Sequence, residues 1–316
     1  MLDRETRKEI SLRPNRMKMR KSKSHQPENQ TMAYPEIATV DSIREELEAK
    51  SDPSRAAILQ KYFKTGQGEY AEGDLFLGVR VPAVRKIASK YRNLELNAVC
   101  ELLTSPIHEE RFLALVIMVK QFSRVGGAGT SRGTGTSRGA GTSRGVVGAE
   151  GTDGADGADG AERSERTEKP HEIRKRRYYE TYMAHLEYIN HWDLVDTSAM
   201  HIPGAYLFDR ARDPLYELAV SDHLWSRRVA IVSTYYFIKR NDFEDTLALA
   251  EMLLHDPHDL MHKAVGWMLR EVGKRDHAVE EEFLARTYRE MPRTMLRYAI
   301  EKFPEELRQA YLKGRV

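Results

Sequence analysis

"KAVGWMLREVGKR", residues 263–275, opens on a cation, continues with small and branched apolar residues, and closes on polar ones three turns later. Val265, Met268 and Leu269 stand three and four apart, so they share one helical face, with Trp267 and Arg270 on a neighbouring face. The same plan returns in "RFLALVIMVKQF" (111–122), "RVAIVSTYYFIKR" (228–240) and "RYAIEKFPEEL" (297–307). Arg228 and Lys263 lie 35 positions apart, Lys263 and Arg297 34. That is the period of a helix-pair solenoid. With an insertion of roughly 45 residues set aside, Arg111 falls about two periods before Arg228, and the segment around Trp192 fills the gap.

Turn signals fit this period. Pro203-Gly204, Asp213-Pro214, Asp256-Pro257 and Met291-Pro292 fall between the apolar stretches, where connections between helices belong. Strand patterns are nearly absent. The expected fold class is all-α, antiparallel helix pairs stacked into a curved superhelix whose concave face would take an extended partner.

Composition marks off two other segments. Residues 1–36, with "RPNRMKMRKSKSHQPENQ", are basic and hold little to bury, so a disordered basic tail is expected. Met17, Met19 and Met32 could each begin a shorter product. From about 124 to 168 the chain carries "GTSRGTGTSRGAGTSRG" and "DGADGADGAE", two tandem repeats unable to present an apolar face. A disordered Gly-rich insertion between two helices is expected there, tolerable because loop-closure entropy grows only logarithmically. The remaining 37–316 would be one domain.

Charged residues make up 31% of the 316 and nearly cancel to a formal +2, so any basic face must be made locally. The single cysteine, Cys100, has no internal partner, and no Cys/His cluster has zinc spacing. No apolar run reaches the roughly 18 residues of a membrane span, and the N-terminus lacks a signal-peptide apolar region. A cytoplasmic protein is expected, monomeric and without metal or other cofactor. "HDPHDLMH" (255–262) lacks a metal-site context, and "GQGEYAEGD" (66–74) lacks the Lys-Ser/Thr ending of a phosphate-binding loop.

"HWDLVD" (191–196) holds one of only three tryptophans. With Asn190 as N-cap, a helix is predicted from about His191 to His201, placing Trp192 and Asp196 about 400° apart, on one face. Two readings stay open: a cation-attracting indole beside a carboxylate in the groove, or a core Trp with Asp196 paired to a neighbouring Arg. Trp225 reads as the cap of a core layer. Tyr70 is placed on a connection that reaches toward the groove. Arg85 and Lys86 face either acidic neighbours or phosphate. Lys239 and Arg240 either complete the dipole at a helix C-terminus or meet DNA.

Five separated segments carry a family resemblance. "YFKTGQGEYAEGDLFLGVRVPAVRKIASKY" (62–91), "NHWDLVDTSAMHIPGAYL", "LWSRRVAIVSTYYFIK", "HKAVGWMLRE" and "MPRTMLRYAIEKF" resemble, in order, the bacterial DNA alkylation repair enzymes of the AlkD type. The likeness spans about 40 to 310 apart from the insertion. It implies HEAT-like repeats and a monofunctional DNA glycosylase that excises positively charged N3- or N7-alkylpurines from double-stranded DNA. It also implies that Trp192, Asp196, Arg228 and Trp267 line the lesion site; Arg228 is expected to hold a phosphate, and Arg270, Lys239 and Tyr70 are expected as further DNA contacts. The alternative is a non-catalytic helical-repeat module that binds damaged or branched DNA, or a protein. A carboxylate beside phosphates disfavours that alternative, since it would repel them.

Overall fold

The computed structural model describes residues 39–125 and 168–316. The basic tail expected over 1–36 and the tandem repeats of the insertion lie outside these residues. Among the described residues the chain is all-α, as its periodicity predicts, and its only extended pairing is an isolated bridge between Leu75 and Ile107.

In chain order the helices are α1 (Val40–Glu48), α2 (Pro53–Tyr62), α3 (Val81–Lys90), α4 (Leu96–Leu103), α5 (His108–Arg124), α6 (Pro170–Ala184), α7 (Trp192–Ser198) and α8 (Pro203–Leu207). After these come α9 (Asp213–Ala219), α10 (Leu224–Ser233), α11 (Tyr235–Ile238), α12 (Glu244–Met252), α13 (Asp259–Gly273), α14 (His277–Thr287), α15 (Arg293–Ala299) and α16 (Glu305–Leu312). The four recurring segments sit in α5, α10 to α11, α13 and α15. Each packs on the next layer: α5 on α7, α7 on α10, α10 on α13, α13 on α15. The short Trp192 helix therefore is the missing layer between Arg111 and Arg228. Helices α4, α9 and α12 back α5, α10 and α13, so each layer is a pair that buries what one helix alone would expose.

Local chemistry sets the ends. Thr39 Oγ1 accepts from the Ser42 N–H at the start of α1, and Asp52 Oδ1 from Arg55 N–H at the start of α2. Helix α5 is buried over its whole run from His108 to Met118, as expected of a central element. Among the described residues no helix is long and apolar enough to cross a membrane.

Three local expectations change. The run 228–240 is not one helix: it breaks at Thr234, whose hydroxyl donates to Ile231 O at 2.7 Å, and resumes as the single turn of α11. Pro203-Gly204 is not a connection. Pro203 opens α8, where its missing N–H costs nothing, and Gly204 lets that helix approach α10 so closely that a Cβ would lie 2.2 Å from Ser233 O. Likewise α7 is capped by His191, not Asn190, and ends at Ser198, before the expected His201. Asn190 turns away from the helix start, its amide donating to Asp74 Oδ1 at 3.1 Å.

Candidate functional site

Trp192 and Asp196 do share a face of α7, and that face opens on a cleft of about 420 Å³. Tyr62 and Tyr70 line it from one side, with Arg228 and Leu260 beside Asp196. Lys263, Trp267 and Arg270 of α13 and Tyr298 of α15 complete it. Helical spacing explains the α13 contribution: 263, 267 and 270 recur at four and three, one stripe of one helix.

Asp196 is held by two hydrogen bonds from one guanidinium. Arg228 Nε donates to Oδ1 at 2.9 Å and Nη2 to Oδ2 at 2.8 Å, while Nη1 donates to Leu260 O at 2.7 Å. The Arg228 side chain is 6% exposed and that of Asp196 21%, so the carboxylate keeps one solvent-facing edge in the cleft. Burial pushes the Asp196 carboxyl above its usual range, and the facing guanidinium opposes that push. Both open readings of the sequence are therefore realised together: Asp196 pairs with an arginine and also lines the groove. The pairing occupies three of the five N–H donors of Arg228, leaving two for another acceptor.

The indoles are fixed from behind. Trp192 stacks on Phe63, with centroids 5.7 Å apart and planes 8° apart. Trp267 donates its indole N–H to Glu271 Oε1 at 3.1 Å, and Lys274 Nζ donates to the same oxygen at 2.7 Å. Trp225 is buried at 3% exposure, as a core cap should be. Tyr70 reaches the cleft as expected. Arg270 also reaches it, but its guanidinium is ion-paired with Glu301. Lys239 does not line the cleft. It lies 4.5 Å over the ring of Tyr235, which stands 5.7 Å from the Trp267 ring, and Lys239 and Arg85 together help hold the pKa of His201 down, behind burial as the main cause.

Behind Trp192 lies a buried charged network with no counterpart in the sequence reading. Asp193 accepts from His108 Nε2 at 2.9 Å and His191 Nδ1 at 2.7 Å, and His108 Nδ1 faces Asp74 Oδ2 at 3.4 Å. Asp74 also receives Arg111 Nη2 at 2.5 Å. Burial opposes charge on His108, yet the two carboxylates overcome it and raise its pKa to about 9. Asp193 is driven well below the usual carboxylate range, since the two imidazoles outweigh its burial. Possible ligand atoms of His108, His191 and Asp193 lie within 4.8 Å of one another. Hydrogen bonds from both imidazoles to Asp193, the second residue of α7, make the cluster an anchor for the α7 N-terminus.

The sequence matches the family described as DNA alkylation repair enzyme over residues 43–129 and 160–303. The chain belongs to the DNA alkylation repair enzyme family. Trp192, Asp196, Arg228 and Trp267 all fall inside the matched region of this alkylation repair enzyme. Family membership gives it a DNA-repair role, with DNA as the substrate. A solved structure, "Predicted DNA alkylation repair enzyme from Enterococcus faecalis", superposes with a TM-score of 0.52 at 13% identity, covering 81% of this chain and 98% of that one. That likeness shows the shared fold. No curated protein matches the sequence.

Tyr62, Leu260, Lys263 and Tyr298 also line the cleft, and the sequence reading did not single them out as site residues. A signal was present for Lys263, which sits four positions before Trp267 on the same stripe. None existed for Phe63 or Glu271, whose roles depend on packing between layers.

Proposed function

We propose that this alkylation repair enzyme is a monofunctional DNA glycosylase that releases cationic N3- or N7-alkylpurines. The observation that carries the reading is the convergence of one partly exposed carboxylate, Asp196, with two tryptophans on a single cleft. A purine alkylated at N7 or N3 already carries positive charge. When its glycosidic bond breaks, the bonding pair passes to the base nitrogen, the base leaves neutral, and positive charge develops on the sugar. Asp196 lies where that charge can be stabilised and can accept the proton of a water attacking C1′. No metal or other cofactor enters this scheme.

Trp192 and Trp267 favour a cationic over a neutral nucleotide through their ring faces, by about 0.5 to 2 kcal/mol each. Arg228 fixes the carboxylate first, and its two remaining donors suit a phosphate of the same strand. Tyr70 and Arg270 border the path of the strand, with Lys239 further out beside Tyr235. The enzyme would act as a monomer on DNA in the bacterial cytosol.

The deciding experiment measures release of alkylated base from a duplex with one N7-methylguanine, for the protein and its Asp196→Asn variant. Release that vanishes in the variant supports the reading. Tight DNA binding without release from the unsubstituted protein would overturn it and leave the cleft as a binding surface.

A further inference from the structure

A second cleft, of about 320 Å³, lies at the far end of α5 from the lesion site. It is lined by Arg92, Arg124, Arg174 and Arg177, with Gln121 and Tyr178 among the remaining contributors. Three separate stretches converge to make it: the turn between α3 and α4, the C-terminus of α5, and the first half of α6. Glu95 is the one carboxylate in its lining, and among the described residues none of the four arginines forms an ion pair with it or with any other carboxylate.

Several arginines elsewhere in the fold carry ion pairs, while Arg85, Arg240, Arg293 and Arg297, like these four, show none among the described residues. Arg44 is paired with Glu101 and Glu110, Arg210 with Glu172, Arg212 with Asp242 and Asp245, and Arg227 with Asp256. The contrast holds within a single helix. On α6, Arg176 is bonded to Glu168 at 2.8 Å and lies 3.7 Å from Glu180, whereas Arg174 and Arg177, at the i and i+3 positions of another face, turn into the cleft unpaired. Four guanidinium groups gathered around a single carboxylate, Glu95, repel weakly in water, and their forked donors match a phosphate geometrically.

We propose that this arginine cleft binds the sugar–phosphate backbone of DNA outside the lesion site. The inference rests on DNA being the ligand, which family membership gives, and not on glycosylase chemistry. His108, at the start of α5, touches Asp193 beside Trp192, and Arg124 ends the same helix 16 residues later. The separation along α5 is about 24 Å at 1.5 Å per residue, the rise of about 7 base pairs for a duplex that runs along this helix. The phosphates concerned therefore belong to flanking duplex and carry no sequence information.

The test uses the full chain and fluorescence anisotropy with two duplexes, one extending about 15 base pairs either side of the lesion and one extending about 4. On the long duplex, Arg174→Ala with Arg177→Ala is expected to lower the slope of log affinity against log salt by about 1 to 2, close to 0.9 per lost phosphate contact. On the short duplex the slope should not change, and Arg176→Ala, on the same helix but paired, should leave both alone. All three positions are exposed, so folding is not at stake. Unchanged slope on the long duplex would overturn the proposal. So would tighter DNA binding in the double variant. A protein that releases no base but shows the slope change would retire the glycosylase reading and leave this site standing.

Discussion

The guanidinium of Arg228 meets the carboxylate of Asp196 side-on, Nε to one oxygen at 2.9 Å and Nη2 to the other at 2.8 Å. A carboxylate held by both oxygens keeps one orientation, and the guanidinium opposes the push of burial toward its neutral form. Removing either partner should therefore have different consequences. Arg228→Ala leaves a largely buried carboxylate unpaired, which is expected to cost about 2 kcal/mol or more in urea unfolding and to move the acid limb of kcat/KM to higher pH, since only the opposing influence on the Asp196 pKa is lost. Asp196→Asn still accepts from Arg228, so it should cost less stability while abolishing most base release with DNA affinity kept. Equal stability in the two variants, or an unmoved acid limb in Arg228→Ala, would contradict this division.

Glu271 holds the Trp267 indole N–H and the Lys274 ammonium on one oxygen, and its carboxylate lies 3.6 Å from Arg270 Nη2. It touches no solvent-filled part of the cleft, so its influence on the site runs through the ring it orients. Glu271→Ala should free Trp267 to change rotamer and weaken capture of a cationic lesion by roughly 3- to 30-fold, the scale of one cation–π contact. Binding of undamaged duplex should change little. Glu271→Gln, which still accepts from the indole, should recover most of the loss. Paired titrations with N7-methylguanine and unmodified DNA separate these outcomes: equal weakening on both would mean that Glu271 acts on general DNA affinity.

The His108 network links pH to stability. Its folded-state pKa of about 9 lies above the ordinary 6.5, so the stabilisation it brings is complete below 6.5 and lost as pH rises through 9. The full effect is on the order of 3 kcal/mol. His191, His201, His223 and His258 are shifted down, mainly by burial, so their linkage falls below pH 6.5 and stays clear of this window. Glu280, raised by burial to about 8, also costs stability as it ionises. The His108 share is therefore the part of the alkaline slope that disappears in His108→Gln. Urea unfolding at intervals from pH 6 to 9.5 reads it, and identical slopes in the two proteins would remove the imidazolium from the account.

Local periodicity made the layers legible. Cations at 111, 228, 263 and 297 mark helices that pack in sequence, and the 192/196 pairing survives because i and i+4 coincide on any α-helix, however short. The helix ends were less legible. Nothing local says that Asn190 is taken by Asp74, a partner 116 positions away, or that Thr234 breaks an apolar run that looks continuous. For the site, the residues that line the cleft could be named wherever chemistry and spacing coincide, as at Trp192, Asp196, Trp267 and Arg270. Lys239, expected as a DNA contact or a helix-end cation, lies over the Tyr235 ring and not in the lining of the cleft. Contacts such as Phe63 on Trp192, or Asp193 between two histidines, arise only when loops and helices far apart in the chain are brought together.

Gly266 stands in α13 one residue before Trp267, where α13 and α15 come into close contact. A Cβ there would lie 2.4 Å from Met295 O and 2.6 Å from Tyr298 Cβ. The first is backbone of α15 and cannot rotate away, so Gly266→Ala must push α15 outward despite the better helix propensity of alanine. The overpacking is expected to cost about 1 to 3 kcal/mol. Because Tyr298 and Trp267 both line the cleft proposed to take the lesion, the same shift should widen it and lower turnover on N7-methylguanine, while Gly273→Ala, at the end of α13 and opposed mainly by the Glu280 side chain, should affect stability with less effect on turnover. Thermal unfolding and single-turnover release on both variants test the idea. A Gly266→Ala protein as stable and as active as its parent would show that the α13 to α15 contact is soft, and that the cleft does not depend on it.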